Sequence, residues 1–306
     1  MIISASRRTD IPALYPQWFM NRLEAEEVLI PNPFHDRHLT RVSLVPEAVD
    51  CIVFWTKNPI PLQKSLTKIQ KMGHPFYFQY TLTPYGKELE GGLPPKAELE
   101  DALVRLGDAL GKERVHWRYD PILMDDYHSL AWHQEQFERM CETLSPYAGR
   151  CIISFLDIYR HMGKRFRVAT YSEMLSIAKQ FSKTAQKYGL SLFTCAEKIN
   201  LSTYGIQHSA CIDPAFIEQL IGRPLCAKQD KNQRPACLCA ESVDVGVYHT
   251  CTQGCAYCYA NSSKHRSDTL FRNHDSKAPM LIGYPSGDEV IKERRQSPYE
   301  QMRINI

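Results

Sequence analysis

Three cysteines late in the chain have a spacing that suits metal chemistry. Cys251, Cys255 and Cys258 form a C-x-x-x-C-x-x-C pattern. Each iron of a cubane iron–sulfur cluster binds one terminal thiolate, so a loop with three cysteines holds the cluster and leaves one iron open to another ligand. Gly254 lies between them, where a short loop around a cluster needs positive φ or a close backbone approach. The spacing therefore predicts a reactive iron–sulfur site.

Other interpretations of this loop remain open. A structural zinc ion or a purely structural cluster also binds cysteines, although zinc sites usually pair one C-x-x-C with a second one or with H-x-x-x-H. A disulfide is disfavoured, because eleven cysteines without a recognisable signal peptide are typical of a reducing compartment. We therefore expect a cytoplasmic protein whose thiols bind metal.

Four further cysteines suggest a second metal site. Cys237 and Cys239 form a C-x-C pair, Cys195 ends a predicted strand, and Cys211 lies in the following loop. Four thiolates complete the coordination of an auxiliary iron–sulfur cluster or of a tetrahedral zinc ion. We favour the cluster over zinc, and free thiols in a crowded loop remain the alternative.

The composition limits the fold and the partners. With 306 residues and 43% hydrophobic content, the chain can bury the core of one barrel-sized domain. No apolar run approaches the roughly 20 residues that span a bilayer, so we expect a soluble protein without membrane association. The net charge of +3 does not by itself indicate nucleic-acid binding.

Short apolar segments alternate with amphipathic segments along the chain. Most of the apolar segments are continuous, which is typical of parallel strands buried on both faces. The predicted strands are residues 2–6, 51–56, 76–82, 115–119, 151–156, 190–195 and 243–248. The clearest predicted helices are residues 95–110, 129–144 and 171–188. This alternation predicts an α/β fold, a partial or near-complete (β/α) barrel of the TIM type.

The predicted organisation is one domain followed by a tail. Residues 1–221 would supply the (β/α) barrel units. Residues 222–283 would contain a Cys-rich insert, the last barrel strand and the cluster loop, all packed into the same domain. Residues 284–306 are polar, and we expect this C-terminal tail to be loosely held.

Polar residues follow several of the predicted strands. In barrels of this type, ligands bind at the C-terminal ends of the strands, where the loops converge. We therefore predict that these residues line a polar mouth. They are Arg7, Arg8, Asp10, Lys57, Asn58, Arg118, Asp120, Asp157, Arg160 and Glu197.

Several segments resemble the family called domain of unknown function 1848, over nearly the full length of the chain. They are S-A-S-R-R-T-D-I-P at 4–12, F-W-T-K-N-P at 54–59, R-Y-D-P at 118–121, T-C-A-E at 194–197 and the closing cysteine-rich block. The cysteine loop and the R-Y-D-P segment are also similar to radical S-adenosylmethionine enzymes of the spore photoproduct lyase type. The family name implies no reaction, whereas the enzyme resemblance does.

The resemblance to radical enzymes implies two cofactors. It implies a 4Fe-4S cluster on Cys251, Cys255 and Cys258, and S-adenosylmethionine at the open iron with Tyr257 near its adenine. Reductive cleavage of S-adenosylmethionine would start hydrogen abstraction from a substrate, with electrons from a donor such as flavodoxin or ferredoxin. The substrate could be a small molecule, a peptide or a nucleic acid. The alternative is a non-catalytic iron–sulfur or zinc-binding protein.

The order of the parts differs from the usual order in radical enzymes, where the cluster loop follows the first barrel strand. Here the loop follows the last predicted strand. A circular permutation explains this order, because the termini of a nearly closed barrel lie close together. The permutation would place strand 243–248 beside strand 2–6.

S-adenosylmethionine carries a carboxylate, an amine and ribose hydroxyls, so its site needs a cation and acceptors. Arg118 would clamp the carboxylate as a bidentate fork. Asp10 or Asp120 would accept hydrogen bonds from the amine or the ribose, and Glu197 belongs to the same predicted cofactor site.

Two arginines are candidates for the substrate side of the mouth. Arg7 and Arg8 are adjacent, and two adjacent arginines are costly to bury without an anion. We therefore expect them to meet an anionic group of the substrate. Together with Asp120 they are the predicted catalytic residues.

Overall fold

The computed structural model describes residues 1–32, 35–163 and 165–294. The strands are β1 Ile2–Ala5, β2 Glu27–Asn32, β3 His35–Ser43, β4 Cys51–Thr56, β5 Phe76–Thr81, β6 Val115–Ile122, β7 Arg150–Phe155, β8 Leu192–Thr194, β9 Gln207–His208, β10 Val243–Asp244 and β11 Val290–Glu293. The α-helices are α1 Ile11–Leu14, α2 Pro16–Glu24, α3 Ile60–Gln63, α4 Leu66–Lys71, α5 Lys96–Leu110, α6 Leu130–Leu144, α7 Tyr171–Lys187, α8 Pro214–Ile221 and α9 Lys264–Arg272. Short 3-10 helices cover Pro46–Ala48, Lys112–Arg114, Arg160–Met162 and Ser202–Tyr204.

Eight strands form one sheet in the order β10-β1-β4-β5-β6-β7-β8-β9. Every neighbouring pair in it is parallel, so the predicted α/β class is confirmed. The expected pairing of the last predicted strand with the first is also present, with Ile3 opposite Val243 and Ser4 opposite Asp244. Within the described residues β10 and β9 are the edges of the sheet, so strand pairing does not close it into a full barrel.

All seven predicted strands overlap strands of this sheet, and the prediction at 51–56 coincides with β4. The prediction at 243–248 is too long. The Asp244 carboxylate accepts a hydrogen bond from the Gly246 amide at 3.0 Å, a local turn that leads the chain out of the sheet. The two-residue strand β9 is exposed, and its sequence carries no apolar pattern that would predict it.

The two faces of the sheet bury different residues, because side chains alternate along a strand. One face, here called the helix face, carries large apolar side chains such as Phe54, Phe78 and Trp117, and helices α2, α5, α6 and α7 pack on it. The opposite face, here called the inner face, carries Val53 and Tyr77 and is covered by α8 and the Cys-rich insert. The insert thus lies on the sheet as part of the core.

The inner face is polar for a buried surface. Ser4, Gln79, His116, Arg118 and Ser154 are all buried, and they alternate with residues of the helix face. A buried polar group costs free energy unless it finds a partner. A sheet face that keeps several such groups, and that leads to the C-terminal strand ends, is therefore a candidate functional surface.

The long helices begin where the sequence supplies a capping residue. Ser129 Oγ accepts a hydrogen bond from the Trp132 amide at the start of α6. Thr170 and Glu173 form a reciprocal capping box at the start of α7, which satisfies amides that a helix leaves unpaired. The three predicted helices are confirmed as α5, α6 and α7. Across the described residues, we find no helix with both the length and the apolar character needed to cross a bilayer.

A second sheet of three strands, in the order β11-β3-β2, is not predicted by the sequence analysis. β2 and β3 are antiparallel, and β11 pairs in parallel with β3. Pro31 within β2 argues against a strand, because proline donates no hydrogen bond to a ladder. β11 lies inside the tail 284–306 that we expected to be loosely held, so that expectation is wrong for this stretch. Residues 295–306 lie outside the described part of the chain.

His133 offers a pH test of the core on the helix face. Its ring is fully buried, with Nδ1 2.8 Å from the Tyr119 hydroxyl and Nε2 2.7 Å from the Leu123 carbonyl oxygen. Burial lowers the pKa of His133 from 6.5 to about 4. Because the unfolded chain takes up the proton first, the free energy of unfolding should fall by about 3 kcal/mol as the pH drops through this window. Urea unfolding of the His133→Gln variant should lack this loss, and equal pH slopes would contradict the assignment.

Candidate functional site

The predicted cluster loop follows β10 at the C-terminal edge of the parallel sheet. Cys251, Cys255 and Cys258 are free and half-buried, and Gly254 has the expected positive φ, at 67°. Among the described residues, these three sulfurs do not belong to any group of ligand atoms lying within 4.8 Å of one another, the spacing that one shared ion would need. Wider spacing suits a cubane, where each thiolate binds a different iron.

The loop is docked on residues 86–93, which connect β5 and α5. The Gly92 amide donates to the Gln253 carbonyl oxygen and the Ala256 amide donates to the Leu89 carbonyl oxygen, both at 2.8 Å. A Cβ atom at Gly92 would lie only 2.6 Å from the Gln253 carbonyl oxygen. Only glycine therefore permits this backbone approach.

Glu90 is the charged centre of that contact. Its side chain is 1% exposed, and its Oε1 lies 2.7 Å from Lys57 Nζ. Lys96 and the Tyr257 hydroxyl also donate to the same carboxylate. Burial alone would raise the pKa of Glu90, but the charges of Lys57 and Lys96 outweigh it and lower the pKa to about 2. Glu90 is therefore an anion, and it joins the cluster loop to two other segments.

Tyr257, predicted to lie near the adenine of a cofactor, is buried. Its hydroxyl donates to Glu90 and accepts from Lys57 Nζ at 3.1 Å. Its ring packs edge-on against Tyr85 at 5.9 Å. These contacts anchor the loop, and the predicted role at the adenine stays a prediction.

Asp10, predicted to bind the cofactor, has a carboxylate that is already engaged. It accepts hydrogen bonds from the Thr56 hydroxyl and the Ala13 amide on one oxygen, and from the Lys57 amide and Gln253 Nε2 on the other. Burial raises the pKa of Asp10 to about 6, although these hydrogen bonds oppose the shift. The carboxylate joins the ends of β1 and β4 to the cluster loop, so it is placed as a positioning group.

Arg7 and Arg8, the predicted catalytic arginines, face different partners. The Arg7 guanidinium lies 3.5 Å from Asp230 and 3.9 Å from Asp244. Arg8 lies over the Tyr248 ring at 5.3 Å. Protein carboxylates therefore compensate Arg7, and the argument that both arginines need a substrate anion does not hold for it.

Arg118 and Asp120, two residues apart on β6, form an ion pair at the C-terminal end of the strand. Arg118 is buried, lies 5.3 Å from the centre of the Trp55 ring, and donates through its other terminal nitrogen to Cys211 Sγ. Arg7 lies over the same ring at 5.9 Å. Arg118 thus has protein partners on both terminal nitrogens, whereas the Asp120 side chain is 24% exposed.

Glu197 follows β8 and reaches the neighbouring strand. Its Oε1 accepts a hydrogen bond from the Phe155 amide at 2.8 Å. Burial raises the pKa of Glu197, and the nearby charges of Asp120 and Asp157 act in the same direction. Two carboxylates, Asp120 and Glu197, therefore lie within electrostatic reach of each other at the strand ends.

The four cysteines predicted as a second metal group converge on the inner face. The Sγ atoms of Cys195, Cys211 and Cys239 all lie within 4.8 Å of one another, and all three residues are buried. Cys237 is buried as well and lies two residues before Cys239. This group could bind a metal ion or a cluster.

Two cations of the predicted mouth contact the two cysteine-bearing segments. Arg118 pairs with Asp120 and donates to Cys211 Sγ, and Lys57 Nζ donates to the Tyr257 hydroxyl at 3.1 Å. Burial would lower the pKa of Lys57, but the charge of Glu90 raises it. Cations and carboxylates at the strand ends can together bind a ligand that carries both charges.

Residues 2–260 match the sequence pattern of the domain of unknown function DUF1848. The chain belongs to this family. The matched region contains both cysteine groups and every predicted site residue. Among solved structures, this family member is similar to a protein from Bacteroides thetaiotaomicron VPI-5482 described as a candidate alpha-L-fucosidase, with 13% identity, coverage of 52% of this chain and 69% of that chain, and a TM-score of 0.24. Such a weak likeness carries no argument about activity. A search of curated proteins finds no match.

The sequence analysis missed Glu90, Gln253 and Asp244. Glu90 lies in no recognised motif, Gln253 occupies one of the variable positions between Cys251 and Cys255, and Asp244 is marked only by its place in a predicted strand. Their roles come from contacts between distant parts of the chain: 167 residues separate Glu90 from Tyr257, and 243 separate Asp10 from Gln253.

Replacing Glu90 tests whether its charge stabilises the docked loop. In the Glu90→Gln variant, Lys57 and Lys96 lose their buried anion, which should cost about 3 kcal/mol of unfolding free energy. Glu88→Gln is the matched control, since Glu88 is exposed and should change the value by less than about 0.5 kcal/mol. Urea unfolding measures both. Equal losses in the two variants would show that the Glu90 charge is not stabilising.

Replacing Gly92 tests whether the close contact between the Gly92 and Gln253 backbones holds the cysteine loop in place. The Gly92→Ala variant should push the cluster loop away, so Cys255 in metal-free protein should be alkylated several-fold faster than in the wild type. Gly91→Ala is the control, because a Cβ atom there meets only the Lys87 carbonyl oxygen at 3.3 Å. Mass spectrometry of the labelled peptide gives the rates. An unchanged rate in Gly92→Ala would mean that the loop does not depend on this contact.

Proposed function

We propose that this protein is a radical S-adenosylmethionine enzyme. The observation that carries the proposal is the position of the loop with Cys251, Cys255 and Cys258, which follows β10 at the C-terminal edge of the parallel sheet. At this edge of a parallel sheet, catalytic groups of barrel-like enzymes converge, and the polar inner face ends there. The combination of a three-thiol loop with a polar, partly buried lining supports an enzyme more than a structural metal site.

The donor set fits a 4Fe-4S cluster. Cys251, Cys255 and Cys258 provide three thiols, one fewer than the four irons of a cubane would bind. A bound cluster would supply the electron for reductive cleavage of S-adenosylmethionine at its open iron. A donor such as flavodoxin or ferredoxin would provide that electron.

The chain's own residues would bind and orient the cofactor. Asp120 is partly exposed, and Glu197 has a second carboxylate oxygen beyond the one bound to the Phe155 amide, so both are available to accept hydrogen bonds from an amine or a ribose. Arg118, which already donates on both sides, is better suited to orient Asp120 than to clamp a free carboxylate. Asp120 is therefore our first candidate for a residue that binds the cofactor.

Two exposed tyrosines lie beside the loop and would meet the substrate. The Tyr159 and Tyr259 rings are 6.0 Å apart, and both rings are more than one third exposed. The Tyr259 hydroxyl donates to the Arg7 carbonyl oxygen, which brings the end of β1 to the same place. A small molecule, a peptide or a nucleic acid could contact these rings.

We also infer that the sheet is a circularly permuted partial barrel. From β10 onward, the sheet order runs in one direction through the chain, without the reversal of a doubly wound sheet. Moving the β10 unit in front of β1 would give the usual order, with the cluster loop after the first strand. The adjacency of β10 and β1 supports this inference.

The activity is tested by anaerobic reconstitution with iron and sulfide, followed by a reductant and S-adenosylmethionine. The wild type should bind about four irons at this loop and release 5'-deoxyadenosine and methionine. Cys255→Ala should abolish the release, while Cys226→Ala, at an exposed cysteine outside both groups, should retain it. Iron binding without any 5'-deoxyadenosine would refute the enzyme and leave a non-catalytic iron–sulfur protein.

A further inference from the structure

We propose that Cys195, Cys211, Cys237 and Cys239 bind a single zinc ion in a closed tetrahedral site. This inference goes beyond the proposed activity and does not depend on it, because none of the four belongs to the loop at 251–258. It also replaces the preference for an auxiliary cluster that the sequence alone suggested.

The spacing of the sulfurs favours one ion over a cluster. Cys195, Cys211 and Cys239 have Sγ atoms that all lie within 4.8 Å of one another, and Cys237, which is also buried, lies two residues before Cys239 in the same segment. A zinc ion with Zn–S bonds of about 2.3 Å holds its thiolates about 3.8 Å apart. A cubane binds each thiolate through a different iron, which requires a wider arrangement.

The surroundings of the sulfurs resemble the outer shell of a metal site. Arg118 donates to Cys211 Sγ, and the Ile212 amide donates to Cys239 Sγ at 3.4 Å. Such hydrogen bonds orient ligands and stabilise negative sulfur. A zinc ion with four thiolates carries a net charge of −2, so the buried guanidinium of Arg118 is a suitable counter-charge.

The backbone of one ligand is held by two further buried donors. The Cys211 carbonyl oxygen accepts from the Tyr77 hydroxyl at 2.7 Å and from Gln79 Nε2 at 2.6 Å. Both donors belong to β5, near the middle of the sheet. The ligand is therefore fixed before any metal binds, which reduces the ordering that binding requires.

The position of the site suggests what the ion would do. Its ligands follow β8, follow β9 and lie in the insert between α8 and β10, so one ion would join three segments. β8 and β9 have only three and two residues, too few for strand pairing to hold this edge firmly. Zinc would fix the edge and, through Arg118, hold Asp120 at the mouth. With four protein ligands it has no open position, so its role is structural.

The test uses the triple variant Cys251→Ala, Cys255→Ala, Cys258→Ala, which removes the other metal loop and leaves the four proposed ligands intact. Protein purified anaerobically should contain about one zinc per chain by elemental analysis. Cobalt exchanged into the site should show the intense visible absorption of tetrahedral tetrathiolate cobalt. Adding Cys239→Ser should lose the metal, while adding Cys226→Ser should keep it.

Two results would overturn the proposal. Iron with acid-labile sulfide in the triple variant would identify an auxiliary cluster, and a folded triple variant that takes up no zinc would leave four free thiols. Both measurements use protein with all four ligands, so they decide the matter even if Cys239→Ser fails to fold. Neither depends on cleavage of S-adenosylmethionine, which the triple variant is expected to lack.

Discussion

The pairing of β10 with β1 connects residues that are about 240 positions apart in the chain. It rests on two residue pairs and on the Asp244 carboxylate, which accepts hydrogen bonds from the Ser4 and Ser6 hydroxyls and from the Arg7 amide. Two ladder positions alone would be a weak join. The Asp244 carboxylate strengthens the β10–β1 pairing and places the cysteine loop at the edge where the other strands end. The geometry of the whole mouth therefore depends on this pairing.

The two cysteine groups differ in the ways that separate reactive from structural metal sites. The loop at 251–258 offers three half-buried thiols, whereas the inner-face group is buried and brings the sulfurs of Cys195, Cys211 and Cys239 within 4.8 Å of one another. Open coordination permits chemistry, and closed coordination contributes stability. Arg118 and Asp120 lie between the groups, so the conformation of the mouth is coupled to the site beneath it.

Charge balance explains why the mouth can keep so many ionised groups away from water. Glu90 pairs with both Lys57 and Lys96, Asp120 pairs with Arg118, and Asp244 with Asp230 compensates Arg7. Each unpaired charge would cost several kcal/mol in such a setting. Among these paired carboxylates Asp120 stays partly exposed, at 24% of its side chain, so in the proposed function it is open to a ligand at the end of β6.

The sequence alone predicts the α/β class, seven of the eight strands of the parallel sheet, the three long helices and the convergence of Cys195, Cys211 and Cys239. These follow from local signals: continuous apolar runs, capping residues such as Ser129 and Thr170, and cysteine spacing. The sequence does not predict the sheet of β2, β3 and β11, because Pro31 in β2 and the many polar residues of β3 do not follow the pattern of a buried strand.

The partners of the polar residues become visible only in the folded chain. Asp10 was predicted to bind a cofactor, but its carboxylate accepts hydrogen bonds from four protein donors. Glu90 carries no signal in the sequence, yet its carboxylate accepts from Lys57, Lys96 and Tyr257 where the cysteine loop docks. The short distances between the sulfurs of Cys195, Cys211 and Cys239 likewise arise only when the segments after β8 and β9 pack against the insert. The physical reason is range: backbone propensity and apolar periodicity act over a few neighbouring residues, whereas charge compensation and ligand convergence depend on distances through space between segments far apart in the chain.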